Sequence, residues 1–187
     1  MKRKKTLKII LITCACLSAA ALIVFAGFWF WVSSLHSSRT VSDIEEYERL
    51  CAEDRLLPAL PTAERLGNYT ARDFFFAEDH FPVITNRWSY RLTLEYTPQD
   101  YAAQAEYLKK TGSFVAAAGE NTHSYAPEFT CGGFRFFTEE GVWFPKWMEF
   151  IGFDDETHRI CFVYFEDENL DDGPDFPQFF ETYGIMG

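Results

Sequence analysis

The sequence predicts an α+β protein: one N-terminal transmembrane helix, then a single domain in which a mainly antiparallel sheet packs against one or two helices. Three observations lead there. The chain opens with a basic cluster and a long uncharged run, a stretch near residue 90 alternates strictly between apolar and polar residues, and a well-capped helix follows it directly.

Lys2, Arg3, Lys4, Lys5 and Lys8 crowd the first eight residues, and the 24 positions from Ile9 to Val32 carry no charge. At a rise of about 1.5 Å per residue, about 20 apolar residues cross a hydrocarbon layer of about 30 Å, so residues 9–32 are long enough to span. Lys and Arg are retained on the cytoplasmic side, and Trp29, Phe30 and Trp31 suit the opposite interface. The expected layout is therefore a cytoplasmic segment 1–8, a signal-anchor helix 9–32, a short polar tether 33–40 and an extracytoplasmic domain 41–187. This is a single-pass protein of the cell membrane.

Two other readings use the same residues. A cleaved signal peptide is composed of a basic start, an apolar run and small residues such as Ser18, Ala19 and Ala20. Cleavage after Ala20 would leave Leu22, Ile23, Val24 and Phe25 as an exposed apolar end, so retention explains them better. Lipidation at Cys14 or Cys16 fits less well, because the apolar run continues past both.

Without its five leading basic residues the chain has 28 acidic residues against 12 basic ones, a net charge of −16. Such a surface disfavours nucleic acid, whose phosphates require a basic patch, and favours cationic partners. Three cysteines remain beyond the anchor: Cys51, Cys131 and Cys161. An odd number permits one internal disulfide at most, with Cys131 and Cys161 the favoured pair; otherwise all three are small buried hydrophobes.

Within the domain, Ser42 and Glu45 have the spacing of a capping box before an apolar face of Ile44, Tyr47, Leu50 and Cys51, ended by Pro58 and Pro61. Ala63 to Leu66 adds a short turn closed by Gly67 and Asn68, and Phe74 to Phe76 reads as a short strand. From Arg87 to Tyr96, Trp88, Tyr90, Leu92, Leu94 and Tyr96 alternate with polar residues, which predicts a strand with one buried and one wet face. Thr97 then caps a helix with Pro98 at its first position, an inner stripe of Tyr101, Ala105 and Leu108, and a stop at Gly112. Phe114 to Ala118 and Phe129 to Thr138 read as strands, Gly132 and Gly133 marking a bulge or close backbone approach. Trp147–Phe153 and Arg159–Phe165 form a hairpin around the polar loop 154–158, and 176–183 packs as a short helix or cap.

No catalytic, cofactor or metal residue emerges from the motifs. The acidic stretch from Glu166 to Asp175 misses the EF-hand pattern, with Asp172 where Gly is required and Gln178 where Glu is required. His36, His80, His123 and His158 are scattered without zinc spacing, and no phosphate loop or nucleophile elbow occurs. The neighbouring carboxylates Glu78/Asp79, Glu139/Glu140 and Asp154/Asp155 point to opposite faces of any strand, so adjacency makes no acid/base pair. Trp143, Phe144, Pro145, Lys146 and Trp147 offer rings for stacking on a sugar or peptide, but rings of this size more often pack in a core. The expected function is thus a membrane-tethered, non-enzymatic interaction domain for a protein or cell-envelope component. The alternatives are an unrecognised envelope hydrolase and an accessory subunit acting through its membrane helix, where Ala15, Ser18, Ala19 and Ala26 permit close helix packing.

Overall fold

The computed structural model describes residues 2–42, 47, 49, 61–81, 85–114, 128–139, 147–167, 175–182 and 184–186. The chain divides into two compact units, residues 1–37 with 81–84 and residues 38–80 with 85–187. The first unit is built on one helix, α1 (Lys2–Ser34), whose stretch Ile12–Ser34 is apolar and long enough to cross a membrane and has none of its residues buried. Its aromatic end, Phe28 to Trp31, is exposed, as is every side chain described from Ile12 to Trp31.

The second unit is an antiparallel seven-stranded sheet with a few helices. In chain order it comprises β1 (Ser37–Val41), α2 (Ala63–Leu66), β2 (Ala71–Phe81), β3 (Thr85–Glu95), α3 (Pro98–Thr111), β4 (Glu128–Cys131), β5 (Phe134–Thr138), β6 (Trp147–Asp154), β7 (Arg159–Asp167) and α4 (Phe176–Thr182). The sheet order β1-β2-β3-β7-β6-β5-β4 shows how it is assembled. After β3 the chain crosses through α3 to the far edge and then returns strand by strand until β7 closes against β3, Tyr90 opposite Tyr164 and Leu92 opposite Phe162. Residues 33–40, expected as a tether, are helix through Ser34 and strand from Ser37. The helix expected after Val41 is described only at Tyr47 and Arg49, and of the strand expected from Phe114 to Ala118, Phe114 makes an isolated antiparallel bridge to Glu139 while residues 115–118 lie outside the described residues.

Local chemistry accounts for the best-formed elements. Thr97 Oγ1 accepts from Asp100 N at 3.2 Å, Pro98 occupies the first turn where its missing N–H costs nothing, and Tyr101, Ala105 and Leu108 are buried as one stripe. The hairpin of β6 and β7 turns through residues 155–158, and Asp154 Oδ1 accepts from the backbone N–H of Glu156 and Thr157 at 3.1 Å each. Gly132 and Gly133 do not make a bulge: both have positive φ, and Cys131 pairs directly with Phe134, so they are the two central residues of a tight hairpin between β4 and β5. Glycine takes that left-handed backbone without steric cost, which makes Gly-Gly between apolar runs a hairpin signal.

The sheet is covered on both faces. On the first, Tyr90, Leu92, Leu94, Ile151, Phe153, Ile160 and Phe162 meet Tyr101, Ala105 and Leu108 of α3. On the second, Phe134, Phe136, Met148, Phe150, Cys161, Val163 and Phe165 meet Phe176, Phe179 and Phe180 of α4, with Ile185. The second layer corrects the expected wet face of β3: Ser89 and Thr93 are buried, and the Arg91 side chain is only 15% exposed. The C-terminal segment causes this. Arg91 Nη1 donates to Ile185 O at 2.8 Å and Nη2 to Asp73 Oδ2 at 2.7 Å, so the guanidinium reaches acceptors from beneath that layer. Cys131 and Cys161, the favoured disulfide pair, are both free and buried in this layer. Burial raises both thiols, Cys161 to about 12, which keeps them protonated and poorly nucleophilic near neutral pH.

Candidate functional site

Among the described residues, one cleft on which charged groups converge lies on the α3 face, lined by Arg65, Glu139 and Glu149, where β5 and β6 leave the apolar core. The pairing of β5 with β6 sets Phe137 opposite Ile151. Two residues further on, Glu139 N donates to Glu149 O at 2.9 Å, which places two carboxyl side chains directly across the ladder on the same face. Like charges opposed in this way destabilise a sheet.

Arg65 answers them from α2. Its Nη2 lies 2.5 Å from Glu139 Oε2 and its Nη1 lies 4.0 Å from Glu149 Oε2, and its guanidinium sits over the Phe162 ring, 5.8 Å from the centroid. A four-residue helix does not hold such a position unaided. Gln104 of α3 supplies the strap, its Nε2 donating to Glu64 O at 3.0 Å and to Arg65 O at 2.8 Å, while Tyr96 Oη donates to Leu66 O at 2.6 Å. Gly67, with φ of +61°, lies beneath Gln104 where a side chain would collide with its amide. The core helix thus fixes the arginine that faces the carboxyl pair.

The electrostatics follow. Burial pushes the Glu149 carboxyl up to about 7; the Glu139 charge adds to the rise, Arg65 opposes it, and a hydrogen bond with the Glu139 side chain adds a further contribution. Two carboxyl groups hydrogen-bond to each other only when one carries a proton. Glu139 is almost fully buried, whereas the Glu149 side chain is 25% exposed. Glu149 lines a cleft of about 390 Å³ together with Thr62, Arg65, Tyr107, Thr111, Ser113 and Glu139.

Beside the pair runs an aromatic row. Tyr164 stacks on Trp88 at 4.4 Å, on Trp147 at 5.9 Å and on Tyr90 at 6.0 Å between centroids. Glu166 Oε2 accepts from Trp88 Nε1 at 3.0 Å and from Tyr164 Oη at 2.9 Å. Trp147, last of the aromatic stretch, is therefore half-buried and packed against the core. Trp143 to Lys146 lie outside the described residues.

The other groups singled out in the sequence have structural employment. Asp79 pairs with Arg87 at 3.0 Å. Burial alone would raise the Asp154 carboxyl, but hydrogen bonds from Thr157, Arg159 and the turn's backbone hold it below its usual value. Asp155 accepts from Tyr101 Oη at 2.5 Å, and His158, with φ of +57°, lies edge-on to the Tyr101 ring. In the acidic stretch, Glu166 holds the aromatic row and Asp175 Oδ1 accepts from Gln178 N at 3.3 Å, at the start of α4. Residues 168–174, Glu140 and His123 lie outside the described residues. Among the described residues, no group of three or more His, Cys, Asp or Glu is placed to hold a metal ion.

Sequence reasoning missed Arg65, Glu149 and Gln104 altogether and weighed Glu139 only against its neighbour Glu140. The pairing that matters joins residues ten apart, and only the hairpin register brings it about. No family model matches this chain, and neither a curated protein nor a solved structure matches it.

Proposed function

We propose that the chain is a single-pass protein of the cell membrane, its basic N-terminus cytoplasmic and its acidic α+β domain extracytoplasmic, and that this domain binds a protein or cell-envelope component without catalysing a reaction. The observation that carries the binding reading is the cleft at Glu149, where a polar rim surrounds two carboxyls that touch each other and an arginine. Carboxyls in direct contact leave no space between them for a scissile bond, whereas hydrolysis of a glycoside requires roughly 5 to 9.5 Å between the pair. The anchoring reading draws on α1, whose apolar stretch has the length of a membrane crossing and follows five basic residues.

The test is a crosslinking pull-down from intact membranes, comparing the full chain with one whose residues 1–32 are replaced by an unrelated anchor. Capture of the same partner by both supports recognition by the domain. Loss of the partner on exchange of the anchor assigns the contact to the membrane helix, and capture by neither removes the support for a binding module.

One observation favours the hydrolase as a second reading. A carboxyl that titrates near pH 7 in a cleft has the poise of a general acid. On that reading Glu149→Gln abolishes turnover of an envelope substrate while partner capture is unaffected; on the binding reading, capture is what changes.

A further inference from the structure

Resting on the binding reading, we infer that the cleft at Glu149 receives a basic side chain of a protein partner, whose ammonium or guanidinium supplies the positive charge that the cluster of Glu139, Glu149 and Arg65 lacks. The first ground is the local charge. Two carboxyls and one guanidinium leave the cluster one positive charge short when both acids ionise. Arg65 is committed to Glu139 at 2.5 Å and stands at 4.0 Å from Glu149, so the deficit lies at Glu149, the member of the pair that faces the cleft.

The second ground is that a structural ion pair would need only one carboxyl. Arg65 with Glu139 already satisfies the packing of α2, and the opposed Glu149 brings repulsion in place of a cross-strand attraction. The third ground is the lining. Thr62, Tyr107, Thr111 and Ser113 line the cleft, and the hydroxyls of Tyr107 and Thr111, which donate to Glu64 Oε2 at 3.3 Å and to Tyr107 O at 2.8 Å, retain lone pairs that can accept N–H groups of an ammonium or guanidinium. An anion is disfavoured, because the one cation present is already paired. A divalent metal would need more oxygen ligands than this pair supplies and would sit within a few ångströms of the Arg65 charge. The net charge of −16 beyond the first eight residues favours approach of basic partners to the domain.

The groups that face Glu149 and bear on its ionisation are Glu139 of the strand beside it, Arg65 of α2, Tyr90 of β3 and Tyr164 of β7. Both tyrosines are held above their ordinary range by burial and stay neutral, so the exchange reduces to one proton for one cation. The step balances: the ligand's cation enters, any proton carried by the Glu149 carboxyl leaves to solvent, and no bond between heavy atoms changes.

The experiment titrates the full chain in detergent micelles, reading the Glu149 carboxyl by carbon NMR with and without Nα-acetyl-lysine methylamide at 50 mM. The counterpart probe acetylated at Nε has the same stem and no charge. The expected result is a fall of at least one unit in the Glu149 titration midpoint with the charged probe alone, and binding at least tenfold weaker for the acetylated probe and for Glu149→Gln. Equal shifts with both probes, no shift with either, or undiminished binding to Glu149→Gln overturns the inference. Its failure is separable from that of the binding reading. If membranes yield a partner that Glu149→Gln captures as well as the parent chain does, this inference falls and the binding module stands. If no form captures anything and the probe is silent, both fall.

Discussion

The two faces of the sheet are built on different principles. The α4 face is a phenylalanine layer: Phe136, Phe150, Phe165, Phe176 and Phe180 are each at most 2% exposed, and their rings lie 4.3 to 6.4 Å from neighbours such as Phe129 and Phe179. Among the described residues, no buried tyrosine belongs to it. The α3 face includes five, Tyr47, Tyr90, Tyr96, Tyr101 and Tyr164, and three of their hydroxyls bond to Leu66 O, Asp155 and Glu166. A buried hydroxyl without a partner costs on the order of 1–3 kcal/mol, so each of these three tyrosines ties the α3 face to a specific polar neighbour. The phenylalanine cluster of the other face is held by shape, with the polar contacts of Arg91 and Thr93 beside it. That contrast locates the candidate site: directional polar contacts position a cleft, whereas a mainly apolar layer supplies the stability that tolerates one.

The largest expected effect tests the stabilising face. Phe136, fully buried, packs on Phe129, Phe134 and Phe180, and Phe136→Ala is expected to cost about 3–5 kcal/mol through lost burial and the cavity left behind. Urea unfolding measures it, and the Glu149 titration midpoint in the folded variant should not move. A coupled shift would mean that the two faces are not independent. Next comes Gly152, paired with Phe136 across the ladder, where an added Cβ would come within 2.6 Å of the ring. Gly152→Ala is expected to cost about 1–3 kcal/mol by overpacking, and the double variant with Phe136→Leu should recover part of that loss because the smaller side chain leaves room.

The two faces also differ in how far the sequence discloses them. Thr97, Pro98 and Gly112 announce α3 through contacts within a few residues, and the alternation from Trp88 to Leu94 discloses the buried side of β3. The second buried side is hidden, because Ser89, Arg91 and Thr93 read as solvent-facing until a segment about 90 residues later lies over them. Gly132 and Gly133 carried a legible hairpin signal that a bulge reading overlooked, since both residues bear positive φ in a two-residue turn. The site itself was hidden for a stronger reason. Glu139 meets Glu149 through register, and both meet Arg65 through a helix 74 residues before Glu139 in the chain, so no window of sequence contains the three together.

Acid–base behaviour sharpens the comparison from the α3 side. In the unfolded chain Glu149 loses its proton near the ordinary value of 4.5, whereas in the folded chain it holds the proton until about pH 7. The folded state therefore binds more protons across that interval, and the contribution of this group to stability is fully present below about pH 4.5 and is lost as pH rises through 7. With about a quarter of the side chain in solvent, the loss is expected to be about 1–3 kcal/mol. Glu149→Gln retains the volume and a donor toward Glu139 but cannot ionise, so its melting temperature should not show this fall between pH 5 and pH 8.5. Parallel pH profiles for the parent and the variant would refute the shared proton.

The smallest expected effect probes the strap that holds α2. Gln104→Ala removes the two hydrogen bonds to Glu64 O and Arg65 O and uncovers Gly67. Because both acceptors can turn to water, the net cost is expected to be about 1 kcal/mol, small beside any phenylalanine deletion. The informative readout is not stability. If Gln104 positions Arg65, freeing α2 weakens the one cation that restrains the Glu149 titration, and its midpoint should rise above 7, whereas a strap that serves packing alone leaves the midpoint unchanged. Gln104→Glu, which keeps the length but replaces the donor amide with an acceptor, should raise it too. A midpoint indifferent to both changes would return Gln104 to the packing of α3 and leave Tyr96 as the residue that holds α2 over the carboxyl pair.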